Sequence, residues 1–121
     1  MKRDDTVYLQ HILDAIARIE EYLQGVNEEV FHHRYLIQDG VIRQVEIIGE
    51  AVKQLSSELR NQHAHIPWQD IASMRDKLIH HYFGVDIEKV WLTAQEDIPV
   101  LKMQVTEILD KTKDSDVGGN S

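Results

Sequence analysis

Apolar residues recur at intervals of three and four along almost the whole stretch from residue 5 to residue 112, and strict alternation is nearly absent. That period puts the apolar side chains on one face of a helix, so the chain must bury a series of helical stripes against one another. Tyr8, Ile12, Ile16, Ile19 and Leu23 form the first stripe, with Asp4, Asp5 and Thr6 as start signals and Gly25 as a stop. Asn27-Glu28-Glu29 reads as the cap and acidic first turn of a short second helix. Ile42, Val45, Ile48, Val52, Leu55 and Leu59 predict a third helix from about Leu36 to Leu59, which Asp39-Gly40 either breaks or does not. Gly49 sits inside that stripe, where glycine costs about 1 kcal/mol relative to alanine; close approach of another backbone is the usual reason to keep it. Residues 60–66 read as a polar connection. Pro67 and Asp70 open a fourth helix that is expected to run to about Tyr82 and to stop at Gly84. Asp86 can cap a last helix, with Glu88 behind it and the stripe Trp91, Ala94, Ile98, Leu101, Val105 and Ile108; Pro99 should kink it. Short links between such helices give an all-α, up-and-down bundle. One domain is expected over residues 1–112, followed by a polar, glycine-rich and disordered tail at 113–121.

The 121 residues are enough for one domain, and 42% apolar residues suffice for a core. A domain of this size leaves apolar surface uncovered, and pairing with a second copy is a natural remedy. The absence of cysteine excludes disulfides, thiolate catalysis and cysteine-based metal sites, and fits a reducing cytoplasm. No apolar run approaches the roughly 18 residues needed to cross a bilayer, and the N-terminus leads into an amphipathic pattern rather than a signal peptide. The net charge of −8 argues against a general nucleic-acid coat protein, though a local basic pocket remains compatible with it.

The anomaly lies in the fourth helix. Its stripe is Ile71, Met74, Leu78 and Tyr82, and Arg75 falls within it. A buried arginine calls for an anion: a carboxylate, a phosphate or a face of another subunit. At about 100° per residue, Tyr82 returns to the azimuth of Arg75, Asp76 and His80 share an edge, and Arg75 and His80 point about 140° apart. Convergence of Arg75 and His80 then needs two copies or a loosened helix end. Asp76 is spaced to fix the tautomer of His80, and carbonyls at the helix end would favour the imidazolium. A permanent cation, a tunable acid/base, a carboxylate and a phenol within eight residues suit phosphoryl chemistry on RNA. The competing reading of the bare spacing is an intramolecular salt bridge at Arg75 and dipole-friendly surface histidines.

Arg75, four residues, His80-His81-Tyr82 matches the R-x4-H-x-Y signature of the HepT-like toxins within the HEPN superfamily. The run Ile47-Ile48-Gly49-Glu50-Ala51-Val52-Lys53-Gln54-Leu55-Ser56 resembles that family's central helix. Ile66-Pro67-Trp68, Met74-Arg75 and His81-Tyr82-Phe83-Gly84-Val85-Asp86 resemble the run around its active helix. The similarity covers roughly residues 4–112. R-x4-H alone is a weak pattern; the flanking blocks, in order and at the right spacing, make it specific. The resemblance implies a HEPN-like homodimer, open to higher assembly, with two motifs facing one cleft. It implies a metal-independent endoribonuclease with no cofactor, acting on RNA such as tRNA or mRNA. Arg75 and His80 would be catalytic, with Asp76 and His81 in support. It further implies the toxin half of a toxin–antitoxin pair, whose nucleotidyltransferase-fold partner neutralises it by adding AMP to Tyr82. An AMP there would bring phosphate toward the Arg75 guanidinium.

Other residues carry plainer readings. His32-His33, His63 and His65 lack the paired spacing of a metal site and read as solvated loop histidines. Trp68 and Trp91 read as packing residues rather than base-stacking platforms. Glu50 and Lys53 read as solvated helix charges, with an interface role open, and Arg34 and Arg43 as candidates for a basic rim. Two rivals to the enzyme stand: a non-catalytic HEPN module that binds a nucleotide or a partner, and a structural dimerisation domain.

Overall fold

Twenty-one residues with one unbroken apolar stripe make α1, Arg3–Leu23. Asp4 and Asp5 complement the free N–H groups of its first turn. It ends ahead of Gly25, whose φ of +73° is the left-handed conformation expected of a stop glycine. Asn27 then accepts a bond from the Val30 N–H at 2.9 Å and opens α2, Glu28–His33. The computed structural model describes the backbone of residues 1–80 and 84–119 and the side chains of residues 1–79 and 84–112.

Asp39-Gly40 does not interrupt α3, which spans Tyr35–Gln54. Gly40 instead makes room for a ring: a Cβ there would lie 3.1 Å from Cε2 of Tyr22. The helix stops short of the predicted Leu59 because Ser56 leaves helical geometry to cap α4, Ser57–Gln62, accepting from the Leu59 N–H at 3.1 Å. Asp5, buried on α1, fixes that corner. Its carboxylate accepts the Ser56 N–H at 2.8 Å and the Ser56 hydroxyl at 2.6 Å. So α4 occupies part of the stretch read as a polar connection.

The predicted fourth helix is three pieces. α5, Trp68–Ala72, and α6, Met74–Leu78, are separated by Ser73. Both the N–H and the hydroxyl of Ser73 bond back to the Gln69 carbonyl, at 3.2 and 3.0 Å, and its backbone leaves the helical region. This is the competition that serine side chains offer to a helix. After Leu78 the chain turns extended. β1, Ile79–His80, pairs antiparallel with β2, Gly84–Val85, setting Ile79 opposite Val85 and His80 opposite Gly84. The Asp86 N–H closes the hairpin onto the Leu78 carbonyl at 2.8 Å, and Gly84 supplies a φ of +77°. The expected helix through Tyr82 is therefore corrected: helix ends at Leu78.

Asp86 caps α7, Ile87–Leu92, through the Lys89 N–H at 3.1 Å. A π-helical turn, Thr93–Asp97, joins it to α8, Ile98–Gly119. Pro99 explains the turn. It has no N–H, and its ring would crowd the carbonyl four residues back in a regular helix. A wider turn, in which the Ile98 N–H reaches Thr93, relieves that crowding. The α8 backbone stays helical past residue 112, where the domain edge was expected.

α1 lies along α3, α8 packs on α1, and α5 and α6 pack on α3. Leu9, Ile12, Ile16 and Ile19 of α1 meet Val41, Val45, Ile48 and Val52 of α3 and Leu101 and Val105 of α8 in one core. Tyr8, Leu23 and Ile42, placed on the stripes by period, are only partly buried at its edge. The fold is all-α, as the periodicity predicts, with one two-strand hairpin among the described residues.

Candidate active site

Arg75 begins α6, and the break at Ser73 sets its direction. Met74 and Leu78 turn into the core, while the Arg75 side chain is 44% exposed on the flank toward α3. The placement inside the apolar stripe is thereby corrected. The anion called for is a carboxylate of the same chain: Nε of Arg75 lies 2.8 Å from Oε2 of Glu46. Nη1 lies 3.8 Å from Oδ1 of Asp76. The other carboxylate oxygen of Glu46 pairs with Arg43. One carboxylate thus bridges two guanidinium groups from α3 and α6.

Glu46 and Arg75 border a cleft of about 430 Å³, lined also by Gly49, Glu50 and Lys53 of α3 with Ala72 and Asp76. Lys53 and Glu50 pair across its edge at 3.2 Å. Gly49 lets the two walls meet, because a Cβ there would stand 2.8 Å from the Ala72 carbonyl oxygen. The close backbone approach inferred from the mid-stripe glycine is what the structure contains. Glu46, Glu50 and Asp76 face Arg75 and Lys53, three carboxylates against two cations, so the cleft of one chain is slightly acidic.

The His80 backbone belongs to a strand, not a helix. It lies in β1 opposite Gly84. The helical spacing that would join Asp76 to His80, and the helix-end carbonyls that would favour its imidazolium, both lapse at Leu78. So does the 140° divergence from Arg75, since the hairpin replaces the ideal helix on which that angle rested. The azimuth shared by Arg75 and Tyr82 falls with the same correction. The His80 side chain, His81 and Tyr82 lie outside the described residues.

Glu46 was not singled out from the sequence. A signal was there: Glu46, Gly49, Glu50 and Lys53 follow at helical spacing, a polar stripe interrupted by the glycine that marks a contact. Trp68 is buried and donates Nε1–H to the His63 carbonyl at 3.1 Å, and Trp91 packs 5.3 Å from the Phe31 ring, so both tryptophans are packing residues. The His63 and His65 rings lie 6.2 Å apart. Burial pushes the His63 imidazole below its ordinary value, and the charges of His65 and Lys111 add to that. A second groove, about 310 Å³ between α5–α6 and α8, is lined by Met74, Lys77, Leu78 and Leu101 among others and holds none of the candidate residues. Among the described residues no helix is long and apolar enough to cross a membrane.

The family described as Ribonuclease HepT-like matches residues 12–108. The chain belongs to the HepT-like ribonuclease family. It is 48% identical over 102 residues to a probable ribonuclease HepT of Thermococcus cleftensis, covering 84% of this chain and 93% of that one. It is 46% identical over 106 residues to a candidate RNase of Caldanaerobacter subterraneus subsp. tengcongensis, covering 88% and 95%. It is also 47% identical over 118 residues to a Methanocaldococcus jannaschii protein named as a gamma-glutamylcyclotransferase and candidate RNase. That match covers 95% of this chain and 53% of the other, so the chain spans about half of that relative's length. No solved structure matches this chain significantly. Membership in the HepT-like family carries the enzyme class expected from the Arg75–His80 segment, a ribonuclease with an RNA substrate.

Proposed function

We propose that the chain is a metal-independent endoribonuclease, the toxin of a toxin–antitoxin pair, with Arg75 and His80 as its catalytic pair. The observation that carries this reading is Arg75 at the rim of an open cleft, paired through Nε and Nη1 while neither contact takes Nη2. Two residues beyond α6, the His80 backbone is fixed by the hairpin close by in sequence. In the reaction the 2′-oxygen of the substrate forms a bond to phosphorus as the bond to the 5′-oxygen breaks. His80 handles the proton that leaves the 2′-hydroxyl and the proton that reaches the 5′-oxygen. Arg75 stabilises the charge that grows on the phosphoryl oxygens. The products are a cyclic phosphate and a 5′-hydroxyl.

One observation favours a second copy beside the site. Tyr35 and Leu36, at the start of α3, are 74% and 86% exposed. Leu36, Arg43 and Glu50 follow one another at intervals of seven and so share one side of α3, which joins that apolar end to the cleft. The nucleotidyltransferase-fold antitoxin and AMP addition at Tyr82 rest on the family resemblance alone, since α6 ends before Tyr82.

Purified wild-type protein and His80→Ala are incubated with total RNA in EDTA. Cleavage by the wild type only is expected. If neither cleaves and the wild-type mass shows no added AMP, the endoribonuclease reading fails and a partner- or nucleotide-binding module takes its place.

A further inference from the structure

The geometry points to Glu46 as a positioning residue that holds Arg75 on its Nε side, with Nη1 toward Asp76 and Nη2 outside both contacts. We infer this role from the division of its carboxylate, in which one oxygen takes Arg75 and the other takes Arg43. The proposal rests on the reading of Arg75 as the phosphate-binding cation.

The need for such a tether follows from the elements. Arg75 stands on a helix of five residues, bounded by the Ser73 break and the turn into β1. A helix that short does not fix a long side chain by itself. α3 is twenty residues long, carries Glu46 near its middle, and has core contacts on both sides of that position through Val45 and Ile48. Glu46 therefore refers the guanidinium to the rigid part of the fold. Arg43, one turn back on the same helix, holds the second oxygen and removes the remaining rotation of the carboxylate. A guanidinium set in place before substrate arrives needs no reorganisation as charge develops. Gly49 and Ala72 keep the two walls in contact just below, so the distance between Glu46 and Arg75 is set by backbone packing.

The test uses Glu46→Gln, Glu46→Asp and Arg75→Lys in the full chain, with RNA cleavage in EDTA and the Arg75 Nε–Hε signal in nitrogen–proton correlation spectra. Glu46→Gln keeps the shape and loses the charge; it is expected to lower kcat about tenfold with KM within about twofold. Glu46→Asp restores part of the loss. In an Arg75→Lys background Glu46→Gln has a much smaller effect, because a single ammonium cannot be held at one nitrogen while another faces the substrate. An equal loss in both backgrounds, or full activity of Glu46→Gln, overturns the role. Should the wild type neither cleave RNA nor carry AMP, the endoribonuclease reading falls on its own account and the spectrum decides the tether. An Nε–Hε signal, identified by its absence from Arg75→Lys, that moves to the position of exposed arginines in Glu46→Gln supports the tether; one that stays in place overturns it.

Discussion

A methyl group at residue 49 would stand 2.8 Å from the Ala72 carbonyl oxygen, and that oxygen is backbone, so the walls must part. Gly49→Ala is expected to lower stability by about 1–3 kcal/mol, the usual cost of overpacking, and to widen the cleft. Thermal melting measures the first, and the activity of the folded variant at low temperature the second. His63 makes a separate statement about pH. Its imidazole is held below 6.5 by burial and by the charges of His65 and Lys111. The unfolded chain therefore takes up the proton first, so the folded state is favoured fully above pH 6.5 and loses that advantage as pH falls toward the folded value. His63→Gln should flatten the stability profile on the acid side of pH 6.5, read from urea midpoints. Of these residues Gly49 was legible in the sequence, because a glycine kept inside an apolar stripe, against its helix cost, points to a backbone pressed close to it. Glu46 was not, since its meaning depends on α6 lying alongside α3.

Caps and corners decide where the elements end. Asn27, Ser56 and Asp86 each accept an N–H three residues on, as short polar residues do at helix starts. Asn27 and Asp86 were readable as caps, but Ser56 was hidden inside a continuing apolar stripe. Its second role is the clamp to Asp5, fifty-one residues away. Asp5→Ala strips both the Ser56 N–H and its hydroxyl of a charged acceptor. A loss of about 1.5–3 kcal/mol is expected, in line with hydrogen bonds to charged groups, and is measured by chemical denaturation. The largest misreading concerned the fourth helix. Ile71, Met74 and Leu78 keep helical spacing across Ser73, so period alone could not show the break. The Ser73 hydroxyl bond to Gln69, the β-branched Ile79 and Val85, and the left-handed Gly84 together replace helix with hairpin.

At the scale of the whole molecule, period and composition were enough for the all-α fold, because every long helix buries a stripe that the sequence displays. The uncovered surface was not legible in the same way. Leu36, 86% exposed, looks like any helix-start leucine in the sequence. On the proposed pairing through this end of α3, Leu36→Glu is expected to give monomer in sedimentation and to abolish RNA cleavage, without lowering the melting temperature of the single chain. Unchanged association would remove Tyr35 and Leu36 from the interface.

The bundle and the segment that carries Arg75 are also held by different amounts of structure. α1, α3 and α8 are twenty residues or more and together carry most of the core, whereas α5 and α6 have five residues each and the hairpin has two per strand. Segments that short borrow their order from neighbours and open first. Amide protons from Met74 to His80 and from Gly84 to Asp86 should therefore exchange with deuterium well before those of Val45 or Ile48. On warming, catalysis should fade while the bundle is still folded, so that the temperature limit of the activity is a property of that short segment rather than of the domain.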